Sequence, residues 1–336
     1  MTVIDEGAVP SPAASRLATE PPRAGWLIVA RKELADHLLS ARFLVLLILL
    51  GLVAALTTLS AAEAIRTSTG TTADTPSIFL KLFLVSQGPL PAFFILIGFI
   101  LPVLGIAFGF DAVSGERSEG TLPRLVSQPI YRDDVINGKF TAGLAVIGLI
   151  LVLVTAIVAA IGIIRLGIVP TAEDVLRLAV WLLVSIVYVG FWLAFATLCS
   201  VAFRRAATAL LAAVGLWIVA TLFASLLASL VAGAIAPTPA GATTEQVIAN
   251  ATLADNLARL APPTLYSEAT TVILDPSART TSSFILTSQA YRAVQSDLPI
   301  EQSLLLVWVQ VVGIVALTVV SFAVAYILFM RQEVRA

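Results

Sequence analysis

Six runs free of Asp, Glu, Lys, Arg and His dominate this sequence: Phe43–Ala62, Leu90–Phe110, Phe140–Ile164, Leu178–Phe203, Ala206–Ala236 and Ser303–Met330. Each has the ~20 residues that a helix needs to cross the hydrocarbon layer of a bilayer. Backbone N–H and C=O groups find no water there, so each run must satisfy them internally, as a helix does. The expected fold class is an all-α polytopic membrane protein with six transmembrane helices. Composition points the same way: of 336 residues, 59% are hydrophobic and only 12% charged, too apolar for a soluble surface. The formal charge of −1 gives no support for a nucleic-acid partner.

Taken in order, residues 1–23 are rich in Pro, Ala, Ser and acid and read as a disordered cytoplasmic tail. Residues 24–42 read as an amphipathic interfacial helix, with Leu27, Ala30, Leu34, Leu38 and Ala41 on one face. Arg31, Lys32, Glu33, Asp36, His37 and Ser40 fill the rest of its circumference, His37 is expected in solvent, and Trp26 suits the headgroup layer. Residues 43–236 hold helices 1 to 5 and a polar segment at 111–139; 303–330 is helix 6, and 331–336 is a cytoplasmic tail.

Six spans put both termini on one side. The denser Lys and Arg of the segments sharing that side, above all Arg31, Lys32, Arg204 and Arg205, make it cytoplasmic. The opposite loop at 237–302 is long enough to hold structure: a helix capped by Thr244 and stopped by Pro262 and Pro263, then a short one over Leu265 to Leu274. It is expected to form a small helical extracytoplasmic cap.

Cys199, His37, Met1 and Met330 are the only residues of their three kinds, so internal disulfides are excluded and a metal site of soft or imidazole ligands has too few donors. No G-x-x-x-x-G-K-[ST], H-E-x-x-H or G-x-S-x-G run occurs, and the uncharged spans carry no internal proton relay. A non-catalytic chain without a cofactor of its own is the expectation. The segment from Phe110 to Lys139 remains, with Asp111, Glu116, Arg117, Glu119, Arg124, Arg132, Asp133, Asp134 and Lys139 between two spans. Gly120 can end one short helix there and Thr121 can cap the next, with Pro123 in its first turn, Leu122, Leu125 and Val126 as an apolar ridge, and Pro129 as its stop.

Glu116, Arg117, Gly120, Thr121, Leu122, Leu125, Pro129, Ile130, Arg132, Val135, Gly138 and Lys139 follow the spacing E-R-x-x-G-T-L-x-x-L-x-x-x-P-[VI]-x-R-x-x-[VI]-x-x-G-K. This resembles the segment after the second span of type 2 ABC (ATP-binding cassette) exporter permeases, in the branch of the nitrous oxide reductase maturation permease. The resemblance implies a cytoplasmic coupling helix between helices 2 and 3, a separate ABC ATPase subunit carrying the ATP, a second permease copy, and a prokaryotic cell membrane. Carried over by position, Glu116, Arg117, Gly120, Thr121 and Leu125 would meet the ATPase, joined by Arg31 and Glu33 from the first helix. Arg132 and Lys139 would anchor the segment at the membrane surface. Gly98, Pro102, Gly105 and Gly109 mark helix 2 as a hinge, or, for Gly105 and Gly109, as a close helix contact.

The uncharged path suits a lipid-like or amphiphilic cargo. Two other readings stand beside exporter: a mechanotransmitting subunit acting on an envelope partner, motivated by the long 237–302 loop, and a secondary carrier or channel.

Overall fold

The computed structural model describes residues 25–69, 77–86, 91–118, 120, 131–281 and 297–332. Among them the regular elements are helical and no strand occurs. In chain order they are α1 (Gly25–Leu38), α2 (Ala41–Thr69), α3 (Ile78–Leu84), α4 (Phe93–Gly109), α5 (Ser114–Ser118), α6 (Arg132–Leu166) and α7 (Ala172–Ala202). Next come α8 (Ala206–Ile218), a π-helical turn at Val219–Phe223, α9 (Ala224–Ile235), α10 (Thr244–Ala258), α11 (Pro262–Leu274) and α12 (Ile300–Arg331). Six helical stretches are long and apolar enough to cross a membrane, and they fall on the six uncharged runs. The tail at 1–23, Thr121, Leu125 and most of the expected coupling helix lie outside the described residues.

Local chemistry sets several boundaries. Thr171 and Asp174 form a reciprocal capping box that starts α7 well before Leu178. Gly167, at φ 68°, ends α6 in the left-handed region that glycine enters without strain. The cap of α10 is Thr243, one residue before the expected Thr244, because Gln246 can then close the box. Pro262 and Pro263 lie in the first turn of α11, where proline costs no hydrogen bond.

α7 is the centre of the bundle, with Trp181, Tyr188 and Trp192 fully buried. α4 lies directly against it: a Cβ on Gly105 would come within 2.8 Å of Val189 O, and one on Gly109 within 2.8 Å of Leu193 O. Close helix contact therefore accounts for both glycines. Pro102 is buried within an α4 that continues through it, and Gly98 lies 3.2 Å, measured from its ideal Cβ, from the Tyr266 ring. The fifth span, α8 to α9, is the least buried of the six.

One end of the bundle carries α1, α5 and the close of α12, and is called here the terminal end; α10 and α11 occupy the far end. At the far end the outcome differs from a cap lying over the surface. α11 is sunk among α4, α7 and α12, burying Leu265, Tyr266, Ala269, Val272 and Ile273. Tyr266 stacks on Tyr188 at 4.2 Å between ring centroids and shares a 2.8 Å hydrogen bond with Ser185.

Two buried charges hold α11. Arg177, 0% exposed, donates to Ile273 O (2.8 Å), Ser303 Oγ (3.3 Å) and Leu298 O, and pairs with Glu173 at 3.0 Å. Glu268 accepts from Arg259 Nε (3.0 Å) and from Gln310 Nε2 (2.7 Å), which reaches it from α12. The guanidinium meets the carbonyl end of α11, where the helix dipole favours a cation.

α1 also departs from expectation. Val29, Ala30 and Glu33 are its buried residues, whereas Trp26, Leu27 and Ile28 are exposed. Arg31, Lys32 and Asp36 are exposed as well, so the face turned to the bundle is Val29, Ala30 and Glu33, with Leu34, His37 and Leu38 half-buried beside them. His37 is accordingly half-buried, edge-on to Phe108 at 5.1 Å, and not in solvent.

Candidate functional site

The terminal end brings together Asp111, Glu116, Arg117, Arg132 and Lys139, described residues of the 111–139 segment. Gly138 and Lys139 sit on the first turns of α6, and Gly138 lets α1 approach so closely that a Cβ there would stand 2.7 Å from Val29 Cβ. The next residue inward can then reach α1. Lys139 Nζ lies 3.0 Å from Glu33 Oε1 on α1 and 3.1 Å from Glu116 Oε1 on α5. The Lys139 and Glu33 side chains are each 10% exposed and that of Glu116 19%, so one ammonium ties three elements together in a nearly dry setting. Removing one partner of such a group strands the rest without compensation.

α5 is a single turn, too short to hold itself, and is pinned from α7. Ser200 Oγ accepts from the backbone N–H of Val113 and of Ser114, both at 3.0 Å, which satisfies the free amides at the start of the turn. On the other flank Arg42 pairs with Asp111 at 2.7 Å and covers the Phe110 ring at 5.4 Å. Arg117 donates to Gln332 Oε1 (2.5 Å) and Arg132 to Gln332 O (3.0 Å), while Gln332 Nε2 donates to Val201 O (2.7 Å). The close of α12 is thereby joined to the same cluster.

Between these groups lies a polar cavity of about 200 Å³ lined by Glu33, His37, Arg42, Asp111, Glu116 and Lys139, among others. Burial pushes the His37 imidazole below its ordinary value of 6.5; Glu33 and Asp111 pull it up, and Lys139 and Arg42 pull it down. Its neutral form is therefore favoured beside Glu33, Asp111, Lys139 and Arg42. Among the described residues no three His, Cys, Asp or Glu come together as metal ligands.

The residues singled out in the sequence are thus placed as follows. Arg31 is exposed on α1, whereas Glu33 faces inward to Lys139. Glu116 and Arg117 on α5 are both engaged within the cluster, and Gly120, at φ 68° and exposed, follows the end of α5. Arg132 holds the end of α12, and Lys139 is buried between two carboxylates. Gly98, Pro102, Gly105 and Gly109 lie along α4, which Gly109 ends beside the charged cavity.

Ser200 and Gln332 escape sequence reading. A serine at the end of an apolar run and a glutamine after one carry no spacing signal; only the fold brings them to α5. Chemically, the arrangement contains no nucleophile with a base beside it. It is a junction in which one side chain, Lys139 of α6, joins α1 and α5.

Residues 27–334 match the family described as ABC-2 family transporter protein. No curated protein matches the chain.

Proposed function

Because this chain belongs to the ABC-2 family of transporter proteins, we propose that it is the membrane subunit of an ATP-driven exporter, powered by an ATPase on a separate chain. The terminal end is then cytoplasmic, and the permease works as a dimer with a second copy or a related one. The observation that carries this reading is the Lys139 junction, since it couples α1 and α5 to the third span. ATP-driven closure of the ATPase would press on α1, on α5 and on the segment that follows Gly120. The two carboxylates on Lys139 would pass that displacement into α6. A stroke of this kind shifts a two-state bundle only if contacts differ between its states, and an ion pair bordering a cavity can exchange partners.

An uncharged set of spans suits an amphiphilic or lipid-like cargo, and the branch we favour is that of the nitrous oxide reductase maturation permease. Co-purification in detergent with a cognate ATPase tests the reading. Wild type should retain the ATPase, with activity that depends on the complex, and Glu116→Ala should lose that activity while keeping its fold. A wild-type chain that recruits no ATPase and moves solute by itself would return the protein to the carrier reading.

A further inference from the structure

The cations of the terminal end divide into two kinds. Arg42 is neutralised by Asp111, and Lys139 by Glu33 and Glu116. Of those left without a carboxylate, five gather round the close of α12: Arg117, Arg132, Arg204, Arg205 and Arg331. Among the described residues, no ion pair involves any of the five.

Gln332 is the point on which they converge. It accepts from Arg117 at Oε1 (2.5 Å) and from Arg132 at its carbonyl (3.0 Å), and it donates to Val201 O (2.7 Å). Arg331 precedes it in the chain. Arg204 and Arg205 stand just past Val201, in the turn that leads into α8, and α8 packs against α5. Asp133 and Asp134 follow Arg132 on the first turn of α6, two carboxylates against five guanidiniums, and Asp134 lies against Gly25 of α1. A guanidinium carries five N–H donors. Arg117 and Arg132 are half-buried and spend a donor each on a neutral acceptor, and Arg204, Arg205 and Arg331 are exposed. Like charges held together repel, and an anion among them removes that cost.

Depth in the membrane says which anion. Arg132 opens the third span, Arg331 closes the sixth, and Arg117 stands one residue from the end of the second. Arg204 and Arg205 lie between the fourth span, Ala172–Ala202, and the fifth, Ala206–Ile235. So short a connection has no length to leave the membrane surface. Phe203, Ile327 and Met330 beside them are exposed apolar side chains, which in a bilayer meet acyl chains. The layer at that depth presents phosphates, which the planar guanidinium fork matches with paired hydrogen bonds.

We infer that the arginines around Gln332 form a binding site for the phosphate of an anionic phospholipid. The bound headgroup ties the close of α12 to α5, α6 and the turn between α7 and α8. A phosphatidylcholine is disfavoured there, because its choline brings a further positive charge. The site stands on the membrane spans and on the geometry of this end, and not on the exporter reading.

Native mass spectrometry of the full chain, released from detergent micelles holding equal amounts of phosphatidylglycerol and phosphatidylcholine, provides the test. Wild type should retain phosphatidylglycerol several-fold over phosphatidylcholine. Arg204→Gln/Arg205→Gln/Arg331→Gln should lose that preference, and Arg204→Gln/Arg205→Gln should weaken it if the triple variant does not fold. Arg165→Gln, at an exposed arginine of the far end, should keep it. Wild type without the preference, or folded variants of the site that retain it in full, would overturn the inference. Lipid removed by an equimolar amount of inorganic phosphate would overturn it as well, since a soluble anion is then the ligand. A triple variant that keeps the lipid but no longer co-purifies with the ATPase would assign the arginines to an acidic face of that subunit, against the lipid site.

Discussion

The two ends of this bundle solve the same problem differently. Each buries a long cation among several helices, yet Arg177 at the far end and Lys139 at the terminal end have different partners. Arg177 is 0% exposed and spends most of its donors on neutral acceptors, the carbonyls of Ile273 and Leu298 and the Ser303 hydroxyl. A fork of fixed donors filled by backbone groups has one arrangement. Lys139 faces two carboxylates beside a polar cavity, and an ammonium on a flexible stem can shift between them. The far end is a clamp; the terminal end is a joint.

The strongest way to break that contrast is to remove the clamp. Arg177→Met leaves three neutral acceptors without donors at about 1–3 kcal/mol each, so thermal unfolding in detergent should show a loss of roughly 4 kcal/mol or an unfolded protein. Lys139→Met should cost somewhat less in stability, about 3 kcal/mol, at the low end for stranding buried carboxylates, because Glu116 keeps some exposure and water can enter the cavity. Its larger effect should be on ATPase coupling. A Lys139 variant as unstable as the Arg177 one, with coupling intact, would dissolve the distinction.

How much of this was legible follows from where each signal resides. The six spans are local properties, since an uncharged run of span length has few other fates, and Gly120 and Gly138–Lys139 stand in a pattern with recognisable spacing. Partners are not local. Lys139 meets Glu33 from far upstream in sequence, and Arg177 reads as an ordinary loop cation until Thr171 and Asp174 extend α7 to include it. α1 misled for a different reason: periodicity marks the apolar face, but Glu33 and His37 turn inward with Ala30 and Leu34 because their partners, Lys139 and Phe108, lie on α6 and α4. The short helix expected over Leu265 to Leu274 carries no sign in the sequence of how deeply it sits, because its depth depends on Tyr188, Ser185 and Gln310 in other elements.

Two smaller effects sharpen the contrast. Gly105→Ala brings a methyl to 2.8 Å from the α7 backbone, and overpacking of this kind should cost about 1 kcal/mol; a neutral result in thermal unfolding would favour a hinge in α4 over a fixed contact. The smallest concerns His37. Its pKa lies below 6.5 in the assembled cluster because burial disfavours the charged form. The stabilisation from neutral His37 is therefore present above that ordinary value and is lost as pH falls through it, when opened forms take up the proton more readily. Coupled ATPase activity should decline on mild acidification in wild type and decline less in His37→Gln, with the profile read between neutral pH and about pH 5.

The central claim, that the Lys139 junction carries the stroke, is tested most directly by exchanging its charges in the reconstituted complex. Lys139→Glu and Glu116→Lys should each abolish permease-dependent ATP hydrolysis, and the double exchange, which restores the same charges around Glu33, should recover much of it. Single variants that hydrolyse ATP like wild type would contradict the account, as would a folded double variant that recovers nothing.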